Sequence, residues 1–337
     1  MKIFRVLSIL LVLIALALAG AVTVITQPFV SPIKFEPPRV DSTQLRTHVK
    51  RLSFDFYPRS FEQDNNTART VKYISDQFAK VGAKVTVQEF LIQEATHRNV
   101  VARFGPATGK VLVIGAHYDS HGDANAGAKH PNGFSPNTHT PGADDNASGV
   151  AGLIVLAKLL ANKPQQRAIE LVAYATEEPP HFRTEHMGSV HHARWMRRQG
   201  RQVELMLSLE MIGYFTDEPN TQRFPLESMR HLYTDRGNFI ALVGALQDFG
   251  LMRRVKGLMS GATPLTVHSI NAPPQFTGID FSDHRSYWKE GFAALMITDT
   301  AFLRNQHYHQ PSDTFEKLDY RRMSQVVQAV YAITQGL

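Results

Sequence analysis

KVLVIGAHYD, residues 110–119, decides how the chain folds. Its apolar run 111–116 has no polar interruption, the mark of a strand covered on both faces. Where the run stops, His117 and Asp119 follow at once. A second run, AIELVAYA (168–175), stops at Glu177-Glu178, and a third, LMLSL (205–209), stops at Glu210. Buried strands that alternate with helices and end in polar residues describe an α/β fold. In such a fold ligands bind outside the carboxyl ends of the strands.

Working outward, the periodicity predicts helices over 42–52, 66–81, 148–160, 187–199, 238–249 and 320–334. Strands are predicted over 83–92, 98–104, 110–116, 168–175, 204–209 and 292–298. The expected architecture is a three-layer α/β/α sandwich around a mostly parallel mixed sheet. Two long polar loops, 121–141 and 214–236, interrupt it, and loops of that length are functional or mobile. Residues 27–40, with four prolines, read as an extended linker.

The first 26 residues stand apart. Lys2 and Arg5 precede an uncharged run that starts at Val6, long enough to span a bilayer at about 20 residues. Ala15-Leu16-Ala17 and Ala17-Leu18-Ala19 would serve as small-x-small cleavage sites. Both a cleaved signal peptide and an uncleaved anchor fit, and the anchor is the reading preferred here. Either one exports residues 41–337 to the periplasm or another extracytoplasmic space, with the positive end kept inside. The chain's net charge is +6, yet its basic residues are scattered. Arg194, Arg197, Arg198 and Arg201 fall on the wet face of a helix, and no nucleic-acid motif accompanies them. Nothing in the sequence calls for an obligate protein partner.

The chain contains no cysteine and fifteen histidines. Thiolate metal sites and cysteine nucleophiles are therefore excluded, and any metal must be held by His, Asp and Glu. The loop PGADDNASG (141–149) sets Asp144 and Asp145 side by side ahead of a helix. Together with His117, Glu177, Glu178 and Glu210, and with His309 from YHQPSDT, these acids should meet at one sheet edge. Without cations they would repel one another and raise each other's pKa values. A pair of divalent ions removes that cost, and nitrogen and oxygen donors suit Zn2+ first, with Mn2+ or Co2+ as substitutes.

HYDS, PGADDNASG, ATEE, LEMIGY, SDHRSYW and YHQPSDT, in this order over roughly 95–337, resemble the co-catalytic di-zinc aminopeptidase family. That family is leucyl aminopeptidase-like and has glutamate carboxypeptidase and glutaminyl cyclase relatives. The resemblance implies a zinc exopeptidase-like fold, two Zn2+ per chain and a peptide substrate cut by a metal-bridging water. It makes His117 and Glu210 ligands of the first metal, Glu178 and His309 ligands of the second, and Asp145 the bridge. Glu177 becomes the general base and Asp119 the residue that orients His117, while Asp283 and His284 buttress the site or line its pocket. Asp144 is left to backbone hydrogen bonds. Glu210 stands where the family more often has aspartate. A carboxypeptidase or a single-zinc glutaminyl cyclase on the same fold is the alternative, and a receptor-like module without activity is a second. Arg183 and Arg304 are candidates for a carboxylate clamp, or else for loop-bracing ion pairs. Phe134, Phe182, Phe215, Phe224 and Phe276 are candidates to shape a side-chain pocket.

Overall fold

The computed structural model describes residues 2–122 and 139–337. Phe134 and most of the long loop before Asp144 lie outside them. In chain order the regular elements are α1 (Lys2–Thr26), α2 (Ser42–Lys50), α3 (Asp64–Lys80), β1 (Lys84–Ile92), β2 (Ala95–Phe104), β3 (Val111–His117), α4 (Gly149–Ala161) and β4 (Ala168–Tyr174). They continue with α5 (Gly188–Arg198), β5 (Val203–Glu210), β6 (Phe239–Gly244), α6 (Phe249–Ala262), β7 (Thr266–Asn271), α7 (His284–Lys289), β8 (Ala294–Thr298) and α8 (Tyr320–Gly336).

All eight strands join one sheet in the order β1-β2-β4-β3-β5-β8-β6-β7. The central strands β4, β3, β5 and β8 run parallel, as do β6 and β7, while the β1–β2, β2–β4 and β6–β8 pairings are antiparallel. Strand alternation gives the sheet two apolar faces. Leu112 and Ile114 of β3, with Leu205, Leu207, Leu295 and Ile297, pack beneath α2, α3, α4, α6 and α8. Val111, Val113, Val172 and Met206 face α5 and α7 on the other side. Helix α4 is apolar all round except Lys158 and is accordingly buried between the sheet and α8. This is the expected three-layer α/β/α sandwich.

One stretch contradicts expectation, and α6, β7 and α7 are elements that the periodicity does not predict. Residues 238–249, read as a helix, contain strand β6 instead, and the helix begins at Phe249. Every β6 residue is buried between β8 and β7. A run apolar on both faces has no period by which to tell strand from helix, and sheet pairing decides it.

Helix α1 is long and apolar enough to cross a membrane, reaching a mean hydropathy of 2.8 over Phe4–Thr26. The proline-rich segment after it is extended and packs on the domain. Ile33 N–H donates to Gly257 O at 2.8 Å and Phe35 N–H to Gly261 O at 3.2 Å, both on α6. A side chain at Gly261 would overlap the Ile33 carbonyl, so the close crossing requires glycine.

Candidate metal centre

Each presumed ligand sits at or just past the carboxyl end of a central strand or on a loop folded over it. His117 is the last residue of β3, Glu210 the last of β5, and Glu177-Glu178 follow β4. Asp145 lies in the turn before α4, where Gly142 takes a left-handed conformation (φ 57°). Its peptide bond to Asn146 is cis. Asn146 stitches this turn to β5: its Oδ1 accepts from Gly149 N–H and Met211 N–H, and its Nδ2 donates to Leu209 O. His309 comes from the loop before α8.

Two donor groups result, His117–Asp145–Glu210 and Asp145–Glu178–His309, all buried. Asp145 belongs to both and turns one oxygen to each. Its Oδ1 is 3.3 Å from His117 Nε2, and its Oδ2 is 3.0 Å from His309 Nε2. Glu210 Oε2 stands 3.5 Å from His117 Nε2, and Glu178 Oε2 stands 3.2 Å from His309 Nε2. Glu177 belongs to neither group, its Oε2 reaching 3.9 Å from His117 Nε2.

Among the described residues, the buried His117 Nε2 and Glu178 Oε1 have no hydrogen-bond partner. Buried polar atoms are ordinarily paired. Convergent nitrogen and oxygen donors with open lone pairs therefore fit divalent cations. The electrostatics agree. Burial pushes the Glu177 carboxyl well above its usual range, and Glu210, Asp283 and Glu178 add to the rise. Burial lifts Glu178 to about 7. Burial would also raise Asp145, but His117 and His309 hold it far below the normal carboxylate value. Against its own burial, His117 is driven well above the ordinary imidazole value by Glu210 and Glu177. Such a cluster keeps protons where cations would otherwise supply the charge.

Asp119 does more for the glutamates than for His117. Its Oδ1 accepts from Glu177 N–H at 3.1 Å and its Oδ2 from Glu178 N–H at 3.0 Å, which fixes the turn after β4. His117 Nδ1 lies 3.2 Å from the Asp119 backbone carbonyl and 3.5 Å from its carboxylate. Asp144 accepts from Gly213 N–H and from Asn305 Nδ2. Asp283 is buried near His117 and Glu210, and burial raises it to about 7. His284 is turned away: its Nε2 meets Ile279 O at 2.7 Å and its ring stands edge-on to Trp288.

Sequence reasoning missed three supports. Arg59, fully buried, donates to Tyr118 O, Leu52 O, Pro141 O and Gly142 O, pinning both metal-side loops at once. Asp313 accepts from the backbone N–H groups of Asp144 and Asp145. Ser282 Oγ donates to Glu210 Oε2 at 2.6 Å. Asp313 and Ser282 stand inside the motifs already singled out; Arg59 carries no spacing signal.

Beside the centre opens a cavity bounded by Glu210 and Tyr308 and walled by Phe224, Tyr233, Phe239, Phe276, Phe281 and Phe302. Phe224 and Phe276 thus line it. Phe182 packs on Phe281 instead, and Phe215 belongs to the core. Arg183 pairs with Asp280, while Arg304 is buried against Gln222 and the Phe239 carbonyl. Glu210 is the one acid among the described lining residues, and no Arg or Lys is among them.

Comparison with known proteins adds four findings. The family model described as Peptidase family M28 matches residues 99–334. An uncharacterized protein of Escherichia coli (strain K12), YfbL, is 45% identical over 307 residues, covering 91% of this chain and 92% of its own. A probable leucine aminopeptidase of Arthroderma benhamiae (strain ATCC MYA-4681 / CBS 112371) is 23% identical, over 89% of this chain and 74% of its own. Among solved structures, the Bacteroides thetaiotaomicron glutaminyl cyclase bound to N-acetylhistamine superposes with a TM-score of 0.66. It is 18% identical, over 90% of this chain and all of its own.

Proposed function

Since this chain belongs to Peptidase family M28 and is a metal-dependent peptidase by that membership, we propose that it removes bulky apolar residues from the amino ends of peptides. The observation that carries this reading is the aromatic cavity with no Arg or Lys among its described lining residues. An apolar side chain fits such a space, and a terminal carboxylate would find no counter-ion on those walls. A carboxypeptidase needs Arg or Lys there, and Arg183 and Arg304 are engaged elsewhere.

In this reading His117, Asp145 and Glu210 hold one zinc ion and Asp145, Glu178 and His309 the other. Bound there, the ions supply Lewis-acid polarisation of the carbonyl and an acidified water. Glu177 takes the proton of the attacking water and hands it to the departing amine. Its carboxyl lies beside both donor groups and in neither, and its burial favours a held proton. Asp119 fixes the backbone that carries Glu177 and so sets its reach. Tyr308, at the junction of cavity and carboxylates, keeps its hydroxyl protonated through burial and donates it to the substrate carbonyl. The enzyme works outside the cytoplasm, held at the membrane by α1.

The test is a leucine-led peptide presented with a free amino end, N-acetylated, or C-amidated, each with and without a chelator. Hydrolysis of the free and amidated forms, with the acetylated form inert and chelator abolishing turnover, is the expected pattern. Release of the last residue from the acetylated form would point to a carboxypeptidase. The fold shared with a glutaminyl cyclase gives a second reading, for which ring closure of an N-terminal glutamine without peptide cleavage would speak.

A further inference from the structure

The cavity and the end of the apolar N-terminal helix share one wall. That wall is β7, the last strand of the sheet. His268, Ser269 and Ile270 of this strand line the cavity. From the same strand, Ser269 Oγ donates to Thr26 O at 2.9 Å and Asn271 Oδ1 accepts from Gln27 Nε2 at 2.7 Å. Lys256 of α6 adds its ammonium to the carbonyls of Thr26 and Gln27. Along the open edge of β7, the Ser269 carbonyl accepts the hydroxyl of Tyr233, itself a cavity residue. Thr26 ends the apolar helix, so with α1 across a bilayer it marks the level of the headgroups. The cavity lies one strand's thickness away.

The loop that closes the cavity on its outer side carries two leucines that water should not see. Leu226 is 50% exposed and Leu232 46%. Between and after them come Arg230, paired with Glu227, and Arg236, next to Asp235, so the segment has no net charge to hold it in water. Exposed apolar tips on such a segment suit a membrane interface through burial of their side chains.

We propose that this cavity faces the bilayer and takes the apolar amino-terminal residue of peptides adsorbed on the membrane, with residues 224–236 dipped into the interface. The proposal rests on the aminopeptidase reading given above and names where its substrates are found.

The test uses the full chain in liposomes of phosphatidylcholine and phosphatidylglycerol, with two peptides sharing one leucine-led sequence. One peptide is free and the other carries a palmitoyl chain at its carboxyl end. A Leu226→Glu, Leu232→Glu double variant should lose about tenfold in kcat/KM on the lipidated peptide, the worth of a few buried methylenes, and stay within about twofold on the free one. Equal effects on both peptides, or none on the lipidated one, would overturn membrane docking and leave hydrolysis standing. Turnover of neither peptide by the parent chain would overturn both readings. A Leu232→Trp variant reads the contact without turnover: its emission should be quenched by lipids brominated on the acyl chain. Unquenched emission from a Leu232→Trp protein that still hydrolyses the free peptide would also overturn the proposal.

Discussion

Glu210 is one methylene longer than the aspartate that the resemblance leads one to expect, and Ser282 fixes where its carboxylate points. Its hydroxyl holds Glu210 Oε2 at 2.6 Å, so the longer side chain has one preferred direction. Outer partners of this kind typically matter about 10–100-fold in metal affinity. Ser282→Ala should weaken zinc binding by about tenfold in a competition assay, and unchanged affinity would show that Glu210 is held some other way. Glu177→Gln is expected to keep full metal content while turnover falls by about 10²–10⁴-fold. Near-normal turnover would remove Glu177 from the proton-transfer role. The presumed ligands other than His309 were legible in sequence because they end or closely follow a strand or precede a helix, and topology carries such positions to one edge. Arg59 and Asp313 were not. They act through the carbonyls and amides of other segments, and backbone contacts across 80 residues or more leave no spacing to read.

Between elements, Glu170 on β4 ties the sheet to its neighbours. It meets Arg103 of β2 at 3.0 Å, His192 of α5 at 3.3 Å and Arg201 at 3.6 Å. Burial alone would raise its carboxyl, but His192 and Arg103 outweigh burial and hold it at about 2. A carboxyl depressed on folding stabilises above its unfolded value and loses that contribution as pH falls towards the folded one. Glu170→Gln should therefore cost about 3 kcal/mol near neutrality. The gap between parent and variant should close from pH 4.5 down towards about 2. Denaturant melts across that window test the sign, and a gap that widens in acid would refute it. The crossing of the 27–40 segment over α6 makes a second prediction. Gly261→Ala drives a methyl into the Ile33 carbonyl, so the segment should detach and become open to proteolysis while the sheet stays folded. Protection equal to the parent's would refute it.

Most elements were readable from periodicity, and the layers followed from them. The exceptions, the short α7 apart, cluster at one end of the sheet. β6 has no period because both its faces are covered. β7 is short, half-polar and at the edge (Thr266–Asn271), with no apolar alternation strong enough to announce it. α6 carries two glycines where the segment from α1 crosses it, which thins its apolar stripe. In each case a partner distant in sequence decided the structure, and the partner was out of reach of local reading.

For the molecule as a whole, several buried acids around two histidines make folding and metal loading one problem. Chelation should lower Tm by several degrees and added zinc should restore it, since a ligand that binds only the folded state stabilises it by mass action. A Tm indifferent to chelator would mean that the carboxylates are neutralised without metal. The carbonyls of Thr26 and Gln27, clamped by Lys256 and Ser269, have a last consequence. With α1 across a bilayer, as proposed above, a body bolted to its stalk would spin about the membrane normal and not tumble. Its mouth would stay at one height, and what it meets would be sorted by altitude before chemistry begins.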